Sequence, residues 1–379
     1  MRLGLLTTGY PRTSSDHCGS FVRGFAESLR SRGHTVEVLA PSDAQLTETE
    51  AFVPIRYAPR VWERTFYRDG VPDNVSDVRT WPGLLTFPPS LALSVRKRAR
   101  RWDAVVAHFG VPCGLVAQLS GLPVLTVWHS GDVHLVRLLQ QRAPWLRHVL
   151  RQTLFDRGAH WFVREEHRAA LMHGAQASSV VQPMPADVRA VDHEAARAAL
   201  GLSRPTVLFL GRLVPVKGVE VLLDAMADVP EADLVIAGDG PLRALVRNAA
   251  HRSEGRIRAL GWVAEPAKSQ WLAAADVVVV PSIRLPSGRT EGSPVVVREA
   301  QCLGTPVVVS DVVPVDGEDG TVFPAGDTQA LRAAIRFALA DPRCAHDPAS
   351  MDSWSDVGAR AEQTLLALRG ATLADLGPS

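Results

Sequence analysis

The sequence predicts an α/β protein built of two doubly wound units, and three observations carry that prediction. Short β-rich runs alternate with amphipathic helical stretches from end to end, the pattern of parallel sheets with helices on both faces. The segment QPMPADVRAVDHE, with two prolines, interrupts the periodicity about halfway. The charge balance changes sign near the same place. Residues 1–190 hold 23 Lys and Arg against 16 Asp and Glu, and the remainder holds 18 against 24, behind a net formal charge of +1. At 379 residues the chain has room for two domains, each with its own core.

The expected strands of the first half read RLGLLTT, TVEVLA, FVPIRY, DAVVAH, PVLTVWH, HWFV and SVVQP. The helix between the first two runs from Phe21 to Arg32 and stops at Gly33, a usual C-terminal signal. In the second half the strands read TVLFLG, DLVIAG, IRALGW, DVVVVPS and TPVVVS. Helices are expected near Val219–Ala227, Pro241–Ala250, Pro266–Ala274, Pro294–Cys302 and Thr328–Leu339. Domains are therefore expected at 1–186 and 187–350. A closing helical stretch at 351–379 packs back toward the first domain and ends in the tail TLADLGPS. In doubly wound sheets ligands sit at the carboxyl ends of strands, at a topological switch point, and two such units facing each other put the site in the cleft between them.

Composition narrows the function classes. The apolar fraction of 46% and charged fraction of 21% are those of a soluble globular protein. No apolar run approaches the roughly 20 residues of a membrane span, and Gly9, Tyr10 and Pro11 end the first apolar stretch too early for a signal peptide. Cys18, Cys113, Cys302 and Cys344 are scattered without CxxC spacing, which reads as reduced thiols in a cytoplasmic protein. Arg96, Lys97, Arg98, Arg100 and Arg101 form a basic run. It reads either as a solvated helix face or as a patch that meets anionic lipid or an anionic acceptor at a membrane's inner face. Near-neutral overall charge and the lack of interleaved aromatics disfavour nucleic acid.

The chemistry concentrates in EGSPVVVREA. Ser293 and Pro294 read as the N-cap and first residue of a helix lying between Glu291 and Glu299. The amides of Val295 and Val296 would point from that helix end toward an anion, normally a phosphate. Two carboxylates beside a phosphate site accept hydrogen bonds from hydroxyls on either side of it, as a sugar nucleotide offers. The alternative is that Glu299 is an exposed helical acid and Glu291 a loop acid. Upstream, TVLFLGRLVPVKGVEVLLDAM reads as strand, glycine turn and helix, with Arg212 after Gly211 and with Lys217 opening the helix. Two cations there would converge on a diphosphate; a loop arginine and a helix-start lysine are the plainer alternative. The chain has only three lysines, Lys97, Lys217 and Lys268, so a lysine beside a glycine turn draws notice as a compact ammonium.

GRLVPVKG, AGDGP at Ala237–Pro241, ALGWV, DVVVVPS, EGSPVVVREA, GTPVVVS and the PAGD turn follow one another as in family-4 retaining glycosyltransferases of the GT-B fold, which the chain resembles over nearly its whole length. The segment GYPRTSSDHCGSFVRGFAESLRSRGHTVEVLAP is similar to the family's glycine loop and first helix, and WHSGDV to its histidine loop. The resemblance implies transfer of a hexose from a UDP- or GDP-sugar to a hydroxyl acceptor, the first domain binding acceptor and the second the nucleotide sugar. It implies that Arg212 and Lys217 neutralise the diphosphate, that Glu291 contacts the hexose and that Glu299 binds the ribose. Amides from Ser293 to Val296 would hold the distal phosphate, Gly211 would form the strand-end turn, and Trp262 and Val263 would frame the base. His129 would approach the transferred sugar, and Gly19 would lie in the loop over the phosphates. Asp132, three residues after His129, is placed to orient it, to bind acceptor or to cap the following helix. No DxD pair is placed to hold a metal, and neither a metal nor a cofactor is expected beyond the donor itself. Glu291 acts either as a nucleophile or, as favoured here, by positioning and electrostatics. His108 is a weaker candidate of the same kind as His129.

Three places depart from the family pattern: Cys18–Gly19–Ser20 in the first loop, Val163–Arg164–Glu165 where a serine is usual, and the short loop SDVVPVDGEDG. They point to an altered substrate range. The acceptor is expected in envelope polysaccharide, glycolipid or natural-product synthesis, and the Ala- and Arg-rich composition suggests a GC-rich bacterial source. A sugar-nucleotide epimerase on the same fold and an inactive sugar-nucleotide-binding subunit are the competing classes. The sequence is silent on oligomeric state.

Overall fold

A computed structural model describes residues 1–13, 16, 18–57, 64–67, 78–186, 188–286, 290–291, 294–313, 315, 320–340 and 352–375. Its internal contacts divide the chain into two units, Met1–Met184 with Asp352–Ser379, and Pro185–Met351.

The first unit holds a seven-stranded, wholly parallel sheet of β1 (Arg2–Leu6), β2 (Thr35–Pro41), β3 (Phe52–Ile55), β4 (Ala104–His108), β5 (Val124–Trp128), β6 (Ala159–Phe162) and β7 (Ser178–Val181). The order is β3-β2-β1-β4-β5-β6-β7, so the direction of winding reverses between β1 and β4. The principal helices are α1 (Ser20–Ser31), α2 (Trp81–Arg98), α3 (Ser130–Arg142), α4 (Leu146–Leu150) and α5 (Glu165–Met172).

The second unit holds β8 (Thr206–Leu210), β9 (Asp233–Ala237), β10 (Ile257–Gly261), β11 (Val277–Val280), β12 (Val307–Ser310) and β13 (Thr321–Phe323), all parallel, in the order β10-β9-β8-β11-β12-β13. Its switch point lies between β8 and β11. Its helices are α6 (His193–Leu200), α7 (Val219–Ala227), α8 (Arg243–Arg252), α9 (Ala267–Ala274), α10 (Val295–Cys302) and α11 (Thr328–Ala340). A long helix, α12 (Trp354–Asp375), closes the chain against α1 in the first unit.

Both sheets are covered on both faces, which is why β4, β5 and β11 are buried at every position, and apolar apart from His108 and Thr126, rather than alternately. Alternate side chains of each strand go to different cores. On β5, Leu125 and Val127 pack with α1 and α12. Val124 packs with α2, and Trp128 packs with α3 and α4. The α1–α12 contact is close because Gly24 leaves the space that the Trp354 ring fills.

Two boundaries differ from expectation. Pro294 has extended backbone (φ −69°, ψ 115°) and caps α10 instead of serving as its first residue, so the helix starts at Val295; Ser293 lies outside the described residues. The strand β13 carries no signal in the sequence reading, being three residues long with only Phe323 buried.

Gly110 follows β4, and a Cβ there would stand 2.1 Å from the fully buried Trp128 ring. Gly110→Ala is expected to cost about 1–3 kcal/mol through overpacking, seen as a lower urea midpoint by circular dichroism. An unchanged midpoint would contradict the packing described.

Candidate functional site

In the second unit the site is built from loops at the carboxyl edge of the sheet. The backbone leaving β8 is stitched to the backbone leaving β9: Gly211 N–H donates to Ala237 O at 3.0 Å and Leu213 N–H to Asp239 O at 2.8 Å. That approach demands glycines. Gly238 and Gly240 have φ of 151° and 152°, and a Cβ on Gly238 would fall 1.8 Å from Gly211 O. The turn Pro215–Lys217 ends on Gly218, in the left-handed region at φ 65°. A Cβ on Gly218 would meet Pro281 O at 1.8 Å, and Ile283 N–H donates to Val216 O at 2.9 Å. The turn is thereby pinned to the loop that follows β11, the neighbouring strand at the switch point.

Glu291 lies further along that loop. Lys217 Nζ and Glu291 Oε2 form an ion pair at 2.5 Å, with side chains only 13% and 16% exposed. Arg212, half-buried, leaves the β8 end five residues before Lys217. Glu299 sits on the buried side of α10, and Lys268 of α9 donates to its Oε1 at 2.7 Å. Glu265 Oε1 lies 3.2 Å from the same ammonium. Burial works against the Lys268 charge, but Glu299 and Glu265 outweigh it and raise its pKa above the usual lysine range. Each glutamate of EGSPVVVREA is thus held by one of the chain's three lysines.

Val295 and Val296 open α10, where the first amides of any helix have no intrahelical acceptor. Trp262 and Val263 follow β10, Trp262 exposed and Val263 half-buried. The structure therefore joins Lys217 to Glu291, and it adds Lys268 and Glu265 around Glu299. Lys268 has no role in the sequence reading. The available signal was the one that singles out Lys217, a rare lysine in an arginine-rich chain. Among the described residues no cluster of three His, Cys, Asp or Glu side chains is arranged to hold a metal ion.

Gly19 and His129 belong to the first unit. Gly19 caps α1 at φ 69°, and a Cβ would stand 2.4 Å from Gly9 O, so glycine is required there despite the neighbouring Cys18 and Ser20. His129 caps α3 between the rings of Phe21 and Phe109, each with its centroid 4.7 Å away. Its Nε2 shares a hydrogen bond of 3.2 Å with Nδ1 of His108, which makes His108 an integral partner. Asp132 caps α3 through the backbone of His129. Its carboxylate accepts from the amides of His129 (2.9 Å) and Val133 (3.0 Å), and also from Gly110 (2.6 Å), tying the β4 and β5 loops together. Arg164 caps α5, with Glu166 2.8 Å from its guanidinium.

Burial and the neighbouring His167 push His129 down to about 3, and burial with His129 holds His108 well below the ordinary value. His160, buried where it accepts from Trp128 Nε1 at 3.0 Å and donates to Arg157 O at 3.1 Å, falls to about 4. His167 also falls to about 4, through burial and then Arg164. Asp132 moves the other way. Burial raises it to about 7 against the pull of the amides it accepts from.

Residues 204–341 match the family described as glycosyl transferases group 1, and residues 19–164 match glycosyltransferase family 4. A phosphatidyl-myo-inositol mannosyltransferase of Mycobacterium leprae is 30% identical over 359 residues, covering 88% of this chain and 86% of that protein. The chain belongs to the family 4 glycosyltransferases. A GDP-mannose-dependent alpha-(1-6)-phosphatidylinositol monomannoside mannosyltransferase of Mycolicibacterium smegmatis is 32% identical over 326 residues, 76% of this chain and 84% of that one. The fold of this family 4 chain matches that of sucrose-phosphate synthase from Thermosynechococcus elongatus, with a TM-score of 0.65 at 20% identity, over 99% and 98% of the two chains. It is GT-B.

Two predictions concern the stability of this glycosyltransferase. Lys268→Met strands the Glu299 charge and should lower unfolding free energy by about 3 kcal/mol. Adding Glu299→Gln should recover most of that, and additive losses in the double-mutant cycle would refute the pairing. The second concerns pH. Unfolded histidines protonate near 6.5, whereas folded His129, His160 and His167 resist until about 3 to 4. Their stabilisation is present above pH 6.5 and is lost as pH falls toward 4. Asp132 acts oppositely, its contribution full below about 4 and lost as pH rises through about 7. Melting temperature should therefore drop between pH 6.5 and 4.5, and a flat profile would count against buried neutral histidines.

Proposed function

We propose that this glycosyltransferase moves a hexose from a nucleoside-diphosphate sugar to a glycolipid hydroxyl with retention of anomeric configuration. The observation that carries the reading is the ion pair of Lys217 with Glu291, held at the sheet's switch point by Gly218. Breaking the anomeric C–O bond leaves negative charge on the diphosphate and positive charge on the sugar. Arg212, Lys217 and the first amides of α10 would stabilise the diphosphate, doing the work for which other transferases use a divalent metal. Glu291 would accept hydrogen bonds from hexose hydroxyls, its orientation fixed by Lys217. Glu299 would take the ribose hydroxyls, fixed by Lys268.

Retention follows if the acceptor attacks from the leaving-group face. The β-phosphate oxygen then receives the acceptor proton, and no side-chain base is required. GDP-mannose is the donor favoured by the name of the M. smegmatis relative, and a phosphatidylinositol-type acceptor by both mycobacterial relatives. Such an acceptor calls for peripheral contact with an anionic membrane at its cytoplasmic face. No helix among the described residues is long and apolar enough to cross a membrane.

The experiment offers a panel of GDP- and UDP-sugars with inositol lipids, following nucleotide release and product configuration. Release of GDP from GDP-mannose with an α-linked product is expected. Lys217→Ala and Glu291→Ala should each lower kcat about 10²–10³-fold. An epimerised nucleotide sugar would sink the transferase reading, as would donor binding without turnover on any acceptor.

A further inference from the structure

Arg164 stands where the family pattern has a serine. It leaves β6 at the carboxyl edge of the first sheet, next to His129: Phe162 is paired with Trp128, and Val163 N–H donates to Trp128 O at 3.3 Å. As the N-cap of α5 it makes no side-chain cap, since a guanidinium has no atom that accepts an amide proton, whereas serine is among the preferred caps. A cation at a helix N-terminus also opposes the helix dipole. The side chain is nevertheless only 16% exposed, and burial of a charge is unfavourable. Arginine at this position is a poor choice for the stability of α5, and its presence calls for something that it binds.

The surroundings of Arg164 are cationic. Glu166 accepts from its guanidinium at 2.8 Å but is 76% exposed, so solvent weakens the pair. Glu165 turns instead to Arg168, which donates two hydrogen bonds to it at 2.6 and 2.8 Å. His167 lies in the first turn of α5, and among the described residues no partner reaches its buried Nδ1. Its low pKa, about 4, comes from burial, then from the charge of Arg164, with a further push from Arg137 of α3, the helix that packs against α5. Glu166 opposes the two arginines only in part. The field at this imidazole is therefore positive.

We propose that Arg164, with His167 behind it, binds a phosphate ester carried by the acceptor and so determines which acceptor is used. The planar fork of an arginine fits two phosphate oxygens. An anion there would offset the positive field and let His167 take up a proton, so that Nδ1 gains the partner it lacks. A carboxylate would engage the fork alone and leave His167 without a role. The inference rests on the transferase reading above and deepens it, because the phosphatidylinositol-type acceptor of that reading carries such an ester.

The test gives the full chain GDP-mannose with myo-inositol, inositol 1-phosphate or phosphatidylinositol in neutral detergent micelles. The parent should prefer inositol 1-phosphate to myo-inositol, and Arg164→Ser should lower that ratio of kcat/KM about 10–100-fold. Arg164→Lys, which keeps the charge and loses the fork, should fall between them. Glu166→Gln should raise the ratio about threefold, because it removes the acid that competes for the guanidinium. By NMR titration, inositol 1-phosphate should raise the His167 pKa by about 1 in the parent, and it should leave the serine variant unmoved. A loss in the serine variant that extends to the micellar lipid makes the headgroup diester a ligand, and a loss confined to the soluble ester makes it the monoester. The inference is overturned by equal losses on inositol and its phosphate in Arg164→Ser, as a packing role would give, or by a parent His167 that ignores the ester. The titration needs no turnover, so a parent that transfers to nothing while His167 responds overturns the transferase reading alone.

Discussion

A carboxylate buried in an α/β unit needs hydrogen-bond donors beside it, and in the second unit two lysines supply them to Glu291 and Glu299. Taking an isolated charge out of water costs several kcal/mol, so Glu299, buried on α10, depends on Lys268 reaching it from α9. Glu291 depends in the same way on Lys217. The two pairs have different architecture. Lys268 and Glu299 lie on packed helices and are fixed by helix packing. Lys217 and Glu291 lie on loops, and loops hold a 2.5 Å contact only if their backbones are themselves tied down.

Glycines do the tying. Gly218 lets the Lys217 turn lie against Pro281, and Gly238 and Gly240 let the chain after β9 lie against Gly211 and Leu213. These contacts bind three consecutive strand ends into one ledge, from which Arg212 and Lys217 project. A side chain at any of the three would push backbone away from backbone and shift the ammonium relative to the carboxylate. The polar chemistry is thus set by where the chain omits a Cβ, and parallel strands buried on both faces leave the carboxyl edge as the place where such loops gather.

The same physics decides what was legible in the sequence. Strands such as Val277–Val280 are read easily because burial on both faces demands a continuous apolar run. Thr321–Phe323 is hidden because three residues at a sheet edge with one buried side chain make no pattern. The start of α10 was misplaced by one residue, since Pro294 can either open a helix or cap one, and only its ψ of 115° decides. Arg212, Lys217, Glu291 and Glu299 stand out through their motif spacing. Lys268 does not, because its meaning comes from a helix 31 residues away in sequence. The tie of His108 to His129 was hidden for the same reason, being made across two strands.

The protonation states of the first unit sharpen the division of labour. With its pKa pushed to about 3, His129 offers a hydrogen bond and no charge at neutral pH, and part of that capacity is spent on His108. An imidazole held neutral in this way can recognise a hydroxyl but cannot compensate a departing diphosphate. In the function proposed above, that compensation falls to Arg212 and Lys217. The first unit exposes arginines on α2, α3 and α4, whereas Asp132 of α3 is buried. In the second unit Lys217 and Lys268 are each fixed by a glutamate, whereas in the first unit Arg96, Arg142 and Arg147 are exposed.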